Sequence, residues 1–153
     1  MLFRSAGDVP LITAETLNKL VDTHQQTKAA ATILTAVIPD AGTYGRIIRK
    51  NGQVQGIREA KDCSPEQLAI QEFNTGIYIF KSAELFNALK NTDTQNKQGE
   101  YYLTDVVHIL NEQNKGVEAV ILEDVNEVQG INTKEDLDTV NQLLASRKAT
   151  VSE

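Results

Sequence analysis

Apolar residues in this chain recur at two spacings, and the switching between them predicts its elements. Behind Thr13, which is placed to cap a first turn, Leu17, Leu20 and Val21 recur at helical spacing, and the helix they predict ends near Lys28. Residues 29–38 follow as a run rich in Thr, Ile and Val that stops at Pro39; so short and β-branched a run predicts a buried strand. Residues 45–50 and 53–58 flank Asn51-Gly52, the dipeptide that best tolerates the two positive φ angles of a type I′ turn, and so predict a hairpin. Ser64-Pro65-Glu66-Gln67 combines a capping hydroxyl, a proline at the first helical position and a glutamine three residues after the cap. A short helix ending by Glu72 is expected there.

A second buried strand is expected over 75–80, then a helix capped by Ser82 whose inner face carries Leu85, Phe86 and Leu89. After a polar loop over 91–99, a helix opens at Leu103 or Thr104 and closes before Lys115-Gly116, and a strand covers 117–122. Thr133 with Asp136 starts a last helix with Leu137, Val140 and Leu144 as its core face. Strands alternating with helices around one hairpin predict an α/β fold: a Rossmann-like, mixed but mostly parallel sheet covered on both faces. Such sheets bind ligands beyond the carboxyl ends of their strands, so the candidate loops are 7–11, 59–64 and 127–133.

Length and charge narrow the function. At 153 residues the chain is one domain by the prior of about 150 residues per domain. Fifteen Lys+Arg against 21 Asp+Glu give a net charge of −6, so there is no general basic surface for a nucleic-acid backbone, and a phosphate-bearing ligand must be held locally. No apolar stretch is long enough to cross a membrane, the start lacks a secretory pattern, and the single Cys63 can form no intrachain disulfide; the cytoplasm is the expected compartment. His24 and His108 fall within predicted helices, where a surface or half-buried imidazole is expected, and neither of the common glycine-rich phosphate motifs occurs.

Six positions carry candidate chemistry, each beside a plainer reading. The carboxylate of Asp8, in Gly7-Asp8-Val9-Pro10-Leu11, suits Mg²⁺ or shapes its own turn. Gly45 closes a loop that is either a ligand loop or a strand entry. Glu59 and Lys61 share one face of a strand end and could meet sugar hydroxyls and phosphate, or be solvated. The amide of Asn74 matches a sugar hydroxyl or an acetamido group, or closes a turn; Asn132 is equally open, since it could only help to cap the last helix.

In order along the chain, GDVPL, TYGRI, EAKD, FNTGIY, QGEYYLTD and GINT resemble the uridylyltransferase domain of the bacterial bifunctional enzyme that makes UDP-N-acetylglucosamine. The resemblance covers about 7–144 and places the chain as the C-terminal part of that domain, within a nucleotide-diphospho-sugar transferase fold whose N-terminal part is missing. It implies transfer of uridylyl from UTP to N-acetylglucosamine 1-phosphate with release of pyrophosphate, dependent on Mg²⁺, in the supply of peptidoglycan and lipopolysaccharide precursors. It further implies that Asp8 and Asn132 hold the Mg²⁺, and that the Gly45 N–H, Glu59 and Asn74 hold the acetamido sugar, with no covalent catalytic residue. Lys61 resembles a basic position that follows this glutamate in related enzymes.

The implied organisation is an atypical leader over 1–6, a partial nucleotidyltransferase domain over 7–146 and a polar tail over 147–153. Ala6 stands where the family has an aromatic and Thr43 where it has glycine; the family's glycine-rich UTP loop and its β-helical acetyltransferase domain are absent. The expectation is a fragment that binds sugar nucleotide without turnover, with homo-oligomers only in the full-length parent. The alternative is a non-catalytic sugar-nucleotide binding or interaction module.

Overall fold

The structure, a computed structural model, describes residues 1–151, with side chains through Arg147. Its elements are β1 (Leu2–Arg4), α1 (Ala14–Thr27), β2 (Ala31–Val37), β3 (Arg46–Lys50), β4 (Gln53–Arg58), α2 (Pro65–Leu68), β5 (Glu72–Phe80), α3 (Ser82–Leu89), α4 (Asp105–Glu112), β6 (Val117–Ile121) and α5 (Lys134–Val151). Short 3₁₀ turns cover Ala60–Asp62 and Val125–Val128.

Local chemistry sets most of these bounds. The Thr13 hydroxyl accepts from the Thr16 N–H at the start of α1, and Lys28 closes that helix in the left-handed region at φ 54°. Asn51 and Gly52 take φ of 52° and 80°, as the hairpin turn between β3 and β4 requires. Ser64 and Gln67 form a reciprocal capping box on α2.

The strands form one sheet in the order β4-β3-β5-β2-β6, with β1 also paired to β5. The sheet is mixed but mostly antiparallel, which corrects the expected parallel majority: among the described residues only β2 and β6 pair in parallel, while β5 runs antiparallel to β1, β2 and β3. The reason is one of order. β1, β2 and β6 do run the same way, as alternation with helices requires, but β5 inserts between β1 and β2 in the opposite direction.

Both faces are covered. Leu85 and Ala88 of α3 and Val106, Val107 and Leu110 of α4 pack with Ile47, Val54 and Ile57 of the hairpin and with Ile33, Tyr78 and Phe80. The other cluster joins Leu20 of α1 to Leu34, Phe73, Ile77, Ile79 and Val120. Two helices turn differently from their expected faces. Phe86 is 56% and Leu89 37% exposed, since Leu85 and Ala88 supply the α3 contact; among the described side chains of α5 only Val140 is buried, with Leu137 at 44% and Leu144 at 36%. The residues expected as a tail begin inside α5, which continues to Val151; Ser152 and Glu153 lie outside the described residues.

Candidate functional site

Because β1, β2 and β6 point the same way, the loops that follow them emerge at one edge of the sheet, and antiparallel β5 begins at that edge. Asp8 lies on the loop after β1, Asn132 on the loop after β6, and Asn74 near the start of β5, in register with Thr35.

Asp8 and Asn132 meet although they come from opposite ends of the chain. A methyl group added at buried Gly130 would sit 3.6 Å from Asn132 Nδ2 and 3.7 Å from Asp8 Oδ2, so both side chains end on the same small space. Backbone ties bring the loops together. The Ile131 N–H donates to the Asp8 carbonyl at 2.9 Å, and the Glu127 carboxylate accepts from both the N–H and the hydroxyl of Thr13, each at 2.9 Å. Among the described residues the Asp8 carboxylate accepts no hydrogen bond, so it does not shape its own turn. Capping of α5 falls to others: the Thr133 hydroxyl accepts from the Asp136 N–H, and the Asp136 carboxylate accepts from the N–H groups of Asn132 and Thr133. Those bonds, that from Asn132 foremost, hold the Asp136 carboxyl below its ordinary range. The Asn132 side chain is thereby left to face Asp8.

Gly45, Glu59 and Asn74 also converge. The Asn74 N–H donates to the Gly45 carbonyl at 2.8 Å, and a Cβ at Gly45 would lie 3.5 Å from Glu59 Oε2 and 3.1 Å from Ile57 Cγ2, so this position suits glycine. The Thr104 hydroxyl donates to Glu59 Oε1 at 2.8 Å. Asn74 Nδ2 donates to the Tyr78 hydroxyl at 2.6 Å while its Oδ1 accepts from the Gly76 N–H at 3.0 Å. A cavity of about 270 Å³ opens beside Glu59, lined also by Arg58, Asp62, Tyr102 and Asp105. Burial, then the charge of Asp93, pushes the Asp105 carboxyl up. Lys61 departs from the expected shared face: β4 ends at Arg58, the chain turns through Ala60–Asp62, and Lys61 donates to Gln98 on the neighbouring loop.

Three supporting residues escape a reading by pattern. Arg46 is 2% exposed and its guanidinium donates to the carbonyls of Ala41, Gly42, Tyr44 and Leu68, which holds the loop that presents Gly45. A charged residue opening a strand reads as solvated, and only the adjacency of TYGRI to a glycine-containing loop hints otherwise. Tyr78 is 2% exposed and reads as core. Arg4, in the stretch expected to be an atypical leader, donates to the Gly76 carbonyl and lies 5.9 Å from the centre of the Tyr78 ring.

Among the described residues no group of three or more His, Cys, Asp or Glu side chains is arranged to hold a metal. A cation at Asp8 and Asn132 would therefore take two protein ligands and fill its other positions from water and substrate, which fits Mg²⁺ better than ions that need a full protein cage.

The fold is a mixed α/β architecture with polar residues gathered at one sheet edge, and the chain belongs to the nucleotidyl transferase family, whose model matches residues 6–126. It is 49% identical over 142 residues to the bifunctional protein GlmU of Enterococcus faecalis, covering 92% of this chain and 31% of that protein. It is 46% identical over 143 residues to the GlmU protein of Limosilactobacillus reuteri, covering 93% and 31%. The chain thus spans less than a third of the length of these relatives and matches within their N-terminal part. A crystal structure of a Bacillus anthracis chain assigned as a glucose-1-phosphate thymidylyltransferase, in complex with sucrose, superposes with a TM-score of 0.60 at 19% identity, over 83% of this chain and 48% of that one; this likeness concerns the fold alone.

Proposed function

We propose that this chain is the sugar- and metal-binding piece of a uridylyltransferase that joins N-acetylglucosamine 1-phosphate to the α-phosphorus of UTP and releases pyrophosphate. The observation that carries the reading is the meeting of Asp8 and Asn132 beside Gly130, on the sheet edge where Asn74 also lies. In this reading Asp8 and Asn132 hold Mg²⁺, which supplies charge neutralisation to the phosphates. Glu59, Asn74 and the Gly45 N–H hold the acetamido sugar. Their work is orientation: hydrogen bonds to donors and acceptors of the sugar aim its phosphate for in-line attack.

The test is the affinity of the 153-residue chain for UDP-N-acetylglucosamine by calorimetry, with and without Mg²⁺. Binding strengthened by Mg²⁺ in the unaltered chain, and indifferent to it in Asp8→Ala, is expected. Binding that ignores Mg²⁺ in both favours a non-catalytic sugar-nucleotide module, and no binding at all overturns the reading.

A further inference from the structure

Asn74 is an amide with two chemically different ends, and its surroundings fix which end goes where. A backbone N–H can only donate, so the atom facing the Gly76 N–H at 3.0 Å must be the amide oxygen. The other end is then Nδ2, and one of its two hydrogens points to the Tyr78 hydroxyl at 2.6 Å. The second hydrogen remains for a ligand. Turning the amide over would set an NH₂ group against the Gly76 N–H, losing one bond and opposing two donors.

We propose that Tyr78 is a positioning residue that, with the Gly76 N–H, locks the Asn74 amide so that a ligand meets its N–H and not its C=O; this rests on the reading that Asn74 holds the sugar. The phenol is well placed for the task. Its ring is 2% exposed and stacks on Phe80 with centroids 5.4 Å apart. The Arg4 guanidinium lies over it, 5.9 Å from the ring centre. Burial, only partly offset by the Asn74 hydrogen bond, pushes its ionisation well above the ordinary range and keeps it a neutral phenol at any working pH.

Glu59 is restricted in the same manner. With Oε1 taken by the Thr104 hydroxyl, Oε2 beside Gly45 is the carboxylate oxygen left open to a ligand donor. A ligand group must therefore bring an acceptor to Asn74 and a donor to Glu59. Recognition is set by Tyr78 and Thr104 behind the contact residues as much as by the contact residues themselves.

Nuclear magnetic resonance of the ligand-free chain tests the lock directly. One Asn74 side-chain amide proton should exchange with water far more slowly than the other, and Tyr78→Phe, which keeps the ring, should abolish the difference. Equal exchange rates in the unaltered chain would overturn the proposal, even if the variant failed to fold. For UDP-N-acetylglucosamine, Tyr78→Phe should weaken binding about five- to tenfold, as loss of one buried hydrogen bond does, and should add nothing to Asn74→Ala. Additive losses would show Tyr78 to be structural only and overturn the positioning role. A chain that binds no UDP-N-acetylglucosamine would overturn the functional reading instead, and the proton exchange would still decide the lock.

Discussion

The two halves of the site are built on different plans. In the corner of Gly45, Glu59 and Asn74, polar groups are tied to partners within the protein: Glu59 to Thr104, Asn74 to Tyr78 and Gly76, and the loop before Gly45 to buried Arg46. In the corner of Asp8 and Asn132, the backbones are tied by Ile131 and by Glu127 with Thr13, and the exposed side chains are left to face one another. The first plan suits a ligand recognised by directional hydrogen bonds, where prior fixation removes the ordering cost of binding. The second suits an ion, which organises its own oxygen ligands and needs only that they be brought within reach.

The most damaging change to the first corner should be Arg46→Met. Four carbonyls lose a charged donor, and since each such bond contributes roughly 1.5 to 3 kcal/mol, a loss of about 3 kcal/mol or more is expected in denaturant unfolding. A loss near zero would mean that the loop before Gly45 is not held from within. In the second corner, Asp8→Ala should leave folding stability almost unchanged. It should reduce the Mg²⁺ enhancement of UDP-N-acetylglucosamine binding by at least the roughly tenfold that even outer-shell changes at metal sites cause. Destabilisation without change in the Mg²⁺ effect would reverse the contrast between the corners.

A finer test is Thr104→Val, which keeps shape but removes the donor to Glu59; weaker sugar-nucleotide binding by about 1 kcal/mol is expected, with Thr104→Ser restoring it. Valine and serine variants that bind alike would remove Thr104 from the account. The smallest effect lies away from both corners. His24 is 5% exposed, with Nδ1 2.9 Å from the Thr32 hydroxyl, and burial first, then Lys81 and the N-terminal amine, lower its pKa below the ordinary 6.5. In the range between the lowered folded value and 6.5 the unfolded chain binds the proton and the folded chain does not. Stability should thus be unaffected by His24 above that range and fall as pH drops through it. His24→Gln should flatten this part of a stability profile, and an unchanged slope would place the acid sensitivity elsewhere.

What could be read from the sequence follows the range of the forces involved. Caps and turns are local, so Thr13, Asn51-Gly52, Ser64 with Gln67, and Thr133 with Asp136 each act where they were expected. Strand direction was partly legible, since alternation with helices dictates that β1, β2 and β6 run alike. The insertion of β5 between β1 and β2 is a long-range pairing with no local mark, hence the misjudged antiparallel majority. Burial failed where one helix had two apolar stripes to choose from: Leu85 with Ala88 faces inward in α3, and Phe86 does not. It failed also for His24, whose interior hydrogen-bond partner Thr32 lies on another segment. The candidate residues came from motif order, and only the fold accounts for Asp8 reaching Asn132; Tyr78 and Thr104, which hydrogen-bond Asn74 and Glu59, resemble ordinary core positions.

The most direct measurement is a resonance-by-resonance titration of the labelled chain with UDP-N-acetylglucosamine and then Mn²⁺, a paramagnetic stand-in for Mg²⁺. The account predicts that the sugar nucleotide shifts the signals of Gly45, Glu59 and the Asn74 side chain, and that Mn²⁺ then broadens those of Asp8, Gly130 and Asn132 most strongly. Broadening centred on the acidic cavity of Asp62 and Asp105, with Asp8 and Asn132 untouched, would contradict it.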